Sequence, residues 1–185
     1  MKILNAIVTA IDNLNDWVGK VLSFLVLLMF VLVVYEVFRR YFLNSPTVWA
    51  NELTQMAFGA YVILSGGHVL RWRGHVNVDI LYSRLSIRKK ALLDIITFFV
   101  FLLFVGMMLV YGGSLALDSL RRFEHSQSAW NPPIYPVKLL MPLGAFLLLL
   151  QGVAKLIRDV LTLFSREPYM TPKMEEMENK KRETL

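Results

Sequence analysis

The sequence contains no cysteine, and it contains few charged residues. The absence of cysteine excludes disulfides, thiolate metal sites and cysteine nucleophiles, but it says nothing about the compartment. Charged residues make up only 18% of the 185 residues, while hydrophobic residues make up 56%. Because a soluble domain of this length exposes far more charge, the composition argues against a soluble protein.

Sequence motifs of common catalytic sites are also missing. The chain has no HExxH motif, no glycine-rich phosphate loop after a strand and no serine elbow. We therefore expect that the protein is not an enzyme, since a membrane-embedded enzyme needs polar groups that converge in a pocket. The net charge of +6 comes from basic residues between apolar runs, so it indicates membrane topology and not nucleic-acid binding.

Four long apolar runs are the main feature that is present. Between charged residues they cover 21–35, 53–70, 95–117 and 139–154. A bilayer core is crossed by about 20 mostly apolar residues, and the second and third runs meet this length directly. The first and fourth runs meet it if Lys20, Lys138 and Lys155 extend toward the headgroups. Because a backbone in lipid must satisfy its own hydrogen bonds, the runs are predicted to be helices.

The predicted fold is an all-α integral membrane protein with four transmembrane helices. The predicted spans are 19–38, 52–70, 91–117 and 137–157, within a membrane domain of residues 1–164 that precedes a flexible charged tail, 165–185. Placing both termini in the cytoplasm puts 15 of the 20 lysine and arginine residues on the cytoplasmic side. The positive-inside rule therefore predicts an N-in/C-in orientation.

The first eighteen residues have an amphipathic pattern. Apolar and polar residues alternate with helical spacing, so that two opposite faces are Ile3, Ile7, Ile11, Leu14 and Val18, and Lys2, Asn5, Thr9, Asp12 and Asp16. This pattern fits a short helix that lies in the membrane interface, with Trp17 at headgroup depth. It equally fits a helical extension of the first crossing, and the sequence leaves both interpretations open.

Several polar residues and glycines near the spans suggest contacts between helices. Glu36 and Arg40 are spaced i, i+4, which predicts an ion pair more than a role in moving protons or ions. Gln151 lies deep in the fourth run and is predicted to form an interhelical hydrogen bond. Small residues allow helices to approach closely, although glycine is also simply common in membrane helices. The glycines in question are Gly59, Gly66, Gly67, Gly106, Gly112 and Gly113.

The three histidines do not form the pattern of a membrane haem site. A haem between helices needs two histidines at one depth, but His68 and His75 fall on the predicted cytoplasmic side and His125 falls on the outer side. We expect structural or interface roles for these residues and no bound cofactor or metal. A membrane anchor subunit of a redox enzyme complex stays as the alternative function.

Two segments carry a family resemblance. EVFRRYFLNSPTVWANEL and GHVLRWRGHVNVDIL resemble the small-permease signature of tripartite ATP-independent periplasmic (TRAP) transporters, the DctQ-like family. Its aromatic-Arg-Tyr, Pro-x-x-Trp-x-x-Glu and His-x-x-x-Asp patterns are matched in order along the chain. The matching residues are Arg40 and Tyr41; Pro46, Trp49 and Glu52; and His75 and Asp79. The fourth-run segment PPIYPVKLLMPLGAFLLLLQ also resembles the family.

The resemblance implies a small permease subunit in the bacterial inner membrane. In such a sodium-coupled system a DctM-like large permease holds the substrate and ion sites, and a DctP-like periplasmic binding protein delivers an organic acid. Among membrane lipids, the small subunit would serve the large one as a scaffold. The residues implied in structural or partner-interface roles are Arg40, Trp49, Glu52, Gly66, Arg71, Arg73, His75, Asp79 and Gln151. The residues implied in docking the binding protein are Arg121, Arg122, Trp130 and Tyr135.

Overall fold

A computed structural model describes residues 2–72 and 87–164 of the chain. It contains four helices, α1 (Lys2–Phe42), α2 (Ala50–Arg71), α3 (Ile87–Arg121) and α4 (Tyr135–Phe164). Each is long and apolar enough to cross a membrane, and the described residues form no β-strand. The all-α prediction with four membrane-length helices is therefore confirmed. Arg73, His75, Asp79 and the tail 165–185 lie outside the described residues.

Helix α1 is longer than the predicted first crossing. It starts at Lys2 and continues without a break to Phe42, so the amphipathic segment and the first apolar run form one helix of 41 residues. At 1.5 Å per residue this helix is about 60 Å long, roughly twice the thickness of a bilayer core. The helical-extension interpretation describes this continuity, while the position of residues 1–18 relative to the membrane stays a prediction.

Helix α4 is the centre of the bundle, because it packs against α1, α2 and α3. Two of its glycines lie where a neighbouring helix approaches most closely. A Cβ on Gly144 would come within 2.5 Å of Ile63 on α2, and a Cβ on Gly152 would overlap the ring of Phe101 on α3. Small residues let membrane helices pack with their backbones close together, so these glycines determine the tight packing of α4.

The two connections that the structure describes are short and hydrogen-bonded. Between α1 and α2, the N–H of Ser45 donates to the carbonyl of Arg39 at 3.1 Å. Between α3 and α4, the chain folds back on itself, since the N–H of Ser126 donates to Pro132 and the N–H of Ile134 donates to Glu124. Backbone turns in the left-handed region make these reversals possible, and the residues that adopt it are Asn44, Phe123 and Asn131.

The four helices run alternately up and down. We call the end of the bundle that holds the first turns of α1 the terminal end, and the opposite end, with both described connections, the loop end. At the terminal end Asp12 of α1 contacts Arg71 of α2 and Arg158 of α4. The start of α1 and the last turns of α4 therefore lie at the same end of the molecule, as an even number of crossings requires. The side of the membrane that this end faces stays a prediction.

Candidate functional site

Polar side chains from α1, α2 and α4 meet at the terminal end. We call this group the polar cluster, and its members are Asp12, Asn15, Asp16, His68, Arg71, Gln151 and Arg158. Four of them are almost fully enclosed, since Asn15 and Gln151 are 0% exposed, Asp12 is 5% exposed and Arg158 is 6% exposed. Polar groups are costly to bury unless they bond one another, so the contacts within the cluster hold the three helices in one arrangement.

Asp12 is the central residue of the polar cluster. Its carboxylate accepts a hydrogen bond from the Gln151 amide at 2.9 Å and another from the buried Arg158 guanidinium. The Nε of Arg71 lies 4.0 Å from the same carboxylate. With the second carboxylate, Asp16, the cluster has two formal negative charges against two guanidiniums. This balance allows charged groups to remain in a poorly solvated place.

Asn15 and Gln151 connect α1 directly to α4. The Asn15 amide donates to the Gln151 side-chain carbonyl at 2.9 Å and to the Ile11 backbone carbonyl at 3.2 Å. The interhelical hydrogen bond predicted for Gln151 is therefore confirmed. The side-chain oxygen of Asn15 points at Gly67 of α2, where an added Cβ would collide with it. Only glycine fits at this position while Asn15 keeps its place.

Asp16 connects α1 to the last turn of α2. It pairs with the Arg71 guanidinium and accepts a hydrogen bond from the indole N–H of Trp72 at 3.2 Å. His68 lies 3.4 Å from the same carboxylate. Arg71 also donates to the backbone carbonyl of Asp12 at 2.5 Å, and its side chain is only 11% exposed. The structure thus places the charge of Arg71 against α1 of the same chain, while a partner contact of this residue stays a prediction.

Sequence analysis did not predict the polar cluster. Asp12 and Asp16 were assigned to a polar face opposite the apolar face of α1, and the helical spacing of that face is correct. Such a pattern does not reveal what the polar face contacts, and in this bundle it faces α2 and α4. The surroundings of Lys155 also differ from the expectation that it extends toward the headgroups. Its ammonium lies 3.0 Å from the carboxylate of Asp94 on α3.

A second polar group lies at the loop end. Glu36 and Arg40 form the predicted ion pair, with 3.0 Å between oxygen and nitrogen. The other carboxylate oxygen of Glu36 accepts hydrogen bonds from the hydroxyl of Thr47 at 2.5 Å and from its backbone N–H at 3.2 Å. The Thr47 hydroxyl in turn accepts from the N–H of Ala50, in the first turn of α2. Thr47 thus joins the end of α1 to the start of α2, a role that sequence analysis did not predict.

The Pro-x-x-Trp-x-x-Glu segment forms the start of α2. Trp49 is the N-cap residue, its carbonyl accepts a hydrogen bond from Leu53, and its ring lies 5.9 Å from that of Tyr35. Glu52 lies in the first helical turn, where a negative charge is favoured by the helix dipole. Gly66 contacts Leu148, so a Cβ there would lie 3.7 Å from that side chain of α4. The close approach at Gly66 therefore serves packing within this chain.

The residues expected to dock a binding protein all lie at the loop end. Arg121 is 78% exposed and 3.8 Å from Asp118, and Arg122 is also exposed. Trp130 and Tyr135 are half-buried, and the ring of Tyr135 packs edge to face on Phe123 with centroids 5.9 Å apart. The structure therefore brings two exposed guanidiniums and two partly exposed aromatic rings to one end of the molecule.

The connection between α3 and α4 is held to α4 by an ion pair. The ammonium of Lys138 lies 2.6 Å from the carboxylate of Glu124. This hydrogen bond holds the pKa of Glu124 below its ordinary value, because it favours the charged carboxylate. His125 lies in the same connection, at the opposite end of the bundle from His68, so these two histidines cannot ligate one haem.

Comparison with known families decides the identity of this bundle. The family model described as "Tripartite ATP-independent periplasmic transporters, DctQ component" matches residues 29–162, which is more than half of the chain. The chain belongs to the DctQ family. A DctQ-family chain is the small permease subunit of a TRAP transporter, which has DctM and DctP components as partners. It is thus a multi-pass membrane protein from a family of transporter components. No curated protein matches the chain.

The family match divides the polar cluster of this DctQ-family chain. Arg71, Gln151 and Arg158 lie within the matched range 29–162, while Asp12, Asn15 and Asp16 precede it. The loop-end group around Glu36 and both described connections lie inside the range. The structure therefore adds the first part of α1 to the polar contacts that hold the DctQ-type bundle together.

Proposed function

We propose that this chain is the scaffold subunit of a sodium-coupled TRAP transporter in the bacterial inner membrane. In this proposal a DctM-like permease holds the substrate and sodium sites, and a DctP-like periplasmic protein delivers an organic acid. The small subunit carries neither site. It fixes the position of the large permease in the membrane while the transport domain of that permease moves.

The contacts of the buried polar groups support a scaffold role, because these groups bond other side chains of the same chain. Gln151 accepts a hydrogen bond from Asn15 and donates one to Asp12, and Asp12 also accepts one from Arg158, so these contacts between helices stabilise the bundle. Transporters that work alone usually have polar sites and broken helices near the middle of the membrane. Here the exposed middle positions of α1 and α3 are mostly large and apolar, as at Phe30 and Phe104. These surfaces suit contact with lipid or another subunit.

Reconstitution in vesicles tests the scaffold role. We expect the chain alone to take up no radiolabelled succinate or pyruvate under an inward sodium gradient. We expect uptake of a carboxylic acid only when the DctM-like permease and the DctP-like binding protein of the same system are added. Uptake by the chain alone would refute the proposal, as would full uptake by the permease and binding protein without this chain.

The loop end is proposed to receive the binding protein. Exposed guanidiniums at Arg121 and Arg122 offer a positive surface for acidic groups, and Trp130 and Tyr135 offer ring area beside it. The double variant Arg121→Glu, Arg122→Glu is expected to raise the binding-protein concentration needed for half-maximal uptake by at least tenfold. Co-purification with the large permease should be unchanged. An unaltered concentration dependence would place the docking surface elsewhere.

A further inference from the structure

Helix α2 differs from the other three helices in its polarity. The most apolar stretch of α2 is less apolar than the corresponding stretches of α1, α3 and α4. Its exposed residues follow one helical face and include two amides, at Asn51 and Gln55. Amides are poorly accommodated by hydrocarbon, so this face of α2 is less suited to lipid than the exposed faces of α1 and α3.

Two open pockets lie between α2 and α1. The pocket toward the loop end has a volume of about 290 Å³ and is lined by Arg40, Asn51 and Thr54 among others. The pocket toward the terminal end has a volume of about 350 Å³. Polar residues from both helices line the second pocket, and they are Ser23, Tyr61, Ser65 and His68. We call these two pockets and the surface between them the α1/α2 furrow.

Apart from Ala50 and Val69, the residues of α2 that line the two pockets have the spacing of a helix-packing seam. They recur at alternating intervals of three and four residues once the exposed Phe58 between the pockets is included. In order they are Asn51, Thr54, Phe58, Tyr61, Ser65 and His68. A repeat of 3.5 residues is the pattern by which one helix presents a continuous seam to another helix. These six residues therefore form one stripe along α2, against which a further helix can pack beside α1.

Polar groups in and beside the furrow have hydrogen-bonding capacity to offer. Within residues 2–72 and 87–164 the structure shows no hydrogen bond to the side chains of Asn51, Gln55 or Tyr61. Acyl chains cannot donate or accept hydrogen bonds, whereas side chains of a neighbouring helix can. Gly59 also leaves the α2 backbone open, since an added Cβ there would have no atom within 4 Å.

We propose that the α1/α2 furrow holds one membrane-spanning helix of the DctM-like permease. This inference rests on the proposed function, which supplies a membrane partner, and it adds the surface on which that partner packs. Two features favour a protein helix over lipid, namely the 3.5-residue seam and the uncompensated amides. The exposed middle positions of α1 and α3 are mostly large and apolar, so those faces are better suited to lipid than the exposed face of α2.

The absence of cysteine makes a direct test practical, because one introduced thiol is the only reactive one in the chain. Ser65→Cys places a benzophenone-maleimide in the furrow, and Gln55→Cys places it on the exposed face of α2 beside the furrow. Met107→Cys and Leu115→Cys place it on the exposed face of α3 as matched controls. Each variant is co-expressed with the DctM-like permease, labelled and irradiated in native membranes, and the adducts are identified by mass.

The furrow positions are expected to yield adducts with the permease at least fivefold more often than the α3 positions. Equal or greater yield from α3 would overturn the inference, and so would adducts from the furrow with lipid alone or with a second copy of this chain. Co-purification of the unmodified chain with the permease separates the two proposals. If the two chains do not co-purify, the proposed function fails as well; if they do, a negative crosslink refutes only the furrow.

A bulky substitution provides an independent test. Ser65 and Ser114 are a matched pair, since each hydroxyl donates to a carbonyl of its own helix, at Val62 and Val110 respectively. Ser65→Phe obstructs the furrow, whereas Ser114→Phe adds the same ring to α3. We expect Ser65→Phe to reduce the amount of co-purified permease at least tenfold, while both variants stay monodisperse alone. If both variants retained the permease equally, the proposal that a permease helix binds in the furrow would be refuted.

Discussion

At the scale of single residues, the bundle depends on a few buried polar side chains. Asp12 is surrounded by Gln151, Arg158 and Arg71, and these partners come from two different helices. Removing one member of a buried ion pair leaves the other charge without compensation, which costs more than the pair itself contributes. Comparing single with double substitutions therefore measures how much such a group contributes to the free energy of unfolding.

Asp12→Ala is expected to lower the free energy of unfolding by about 3 to 5 kcal/mol, because it removes the carboxylate that contacts the buried Arg158 guanidinium. The double variant Asp12→Leu, Arg158→Leu should recover much of this loss, since Arg71 keeps Asp16 as its partner. Equilibrium unfolding in mixed detergent micelles measures both changes. If the double variant were less stable than each single variant, the ion pair would not be the cause.

Gly67 and Gly106 form a matched pair of membrane glycines. A Cβ at Gly67 would collide with the Asn15 side chain and lie 3.2 Å from the backbone oxygen of Leu147, whereas a Cβ at Gly106 would meet no atom within 4 Å. We expect Gly67→Ala to destabilise the bundle by about 1 to 3 kcal/mol through overpacking. Gly106→Ala should leave the thermal midpoint unchanged or raise it. Similar midpoints for the two variants would contradict the packing at Asn15.

At the scale of elements, the short connections are held by side chains of the helices that they join. Thr47 bonds the Glu36 carboxylate and the first turn of α2 at the same time. In the α3–α4 connection, the carboxylate of Glu124 pairs with the ammonium of Lys138 on α4. Each connection thus has one polar residue that fixes the angle between the helices on either side.

Thr47→Val removes the hydroxyl while keeping the shape of the side chain. We expect a loss of about 1 kcal/mol in stability, because the N–H of Ala50 and the Glu36 carboxylate each lose a partner. Thr47→Ser keeps the hydroxyl and should retain most of the stability. Thermal unfolding of the purified chain compares the two. A Ser variant as unstable as the Val variant would show that the methyl group is the important part.

The Glu124–Lys138 pair predicts a pH dependence of the α3–α4 connection. Because the folded-state pKa of Glu124 is lowered, the pair contributes fully at neutral pH. Its contribution falls once the pH drops below the ordinary carboxyl value of about 4.3, and it is lost as the pH passes the lowered value. Hydrogen-exchange protection of the Ile134 amide should decrease in that range. Glu124→Gln should remove this decrease; protection that falls equally in both proteins would refute the assignment.

At the scale of the whole molecule, the same-end position of the termini restricts the orientation to two choices. Counting lysine and arginine predicts the terminal end in the cytoplasm. Single-cysteine variants test it without interference, because the chain has no other thiol. In intact spheroplasts, a membrane-impermeant maleimide should label Asn131→Cys but should label Thr9→Cys only after lysis. The reverse pattern would invert the topology.

The architecture could be predicted from the sequence because the length of an apolar run is a local property. A single amide in such a run, Gln151, was sufficient to predict a contact between helices. The partners of that amide could not be predicted, because Asp12 and Asn15 lie more than a hundred positions away in the chain. Glycine shows the same limit. A Cβ added at Gly112 would lie 3.6 Å from Met141, whereas one added at Gly106 would meet no described atom within 4 Å, and both glycines lie in similar apolar surroundings.

The link between the first and last helices has a consequence for biosynthesis. Asp12 leaves the ribosome early, but Gln151 and Arg158 are synthesised only with the final helix. Until then the acid and the neighbouring Asn15 have no α4 to contact. In a nascent chain that ends before α4, Asp12 therefore lacks the contacts that Gln151 and Arg158 supply. Completion of the fourth helix is the step that turns four inserted segments into a finished subunit.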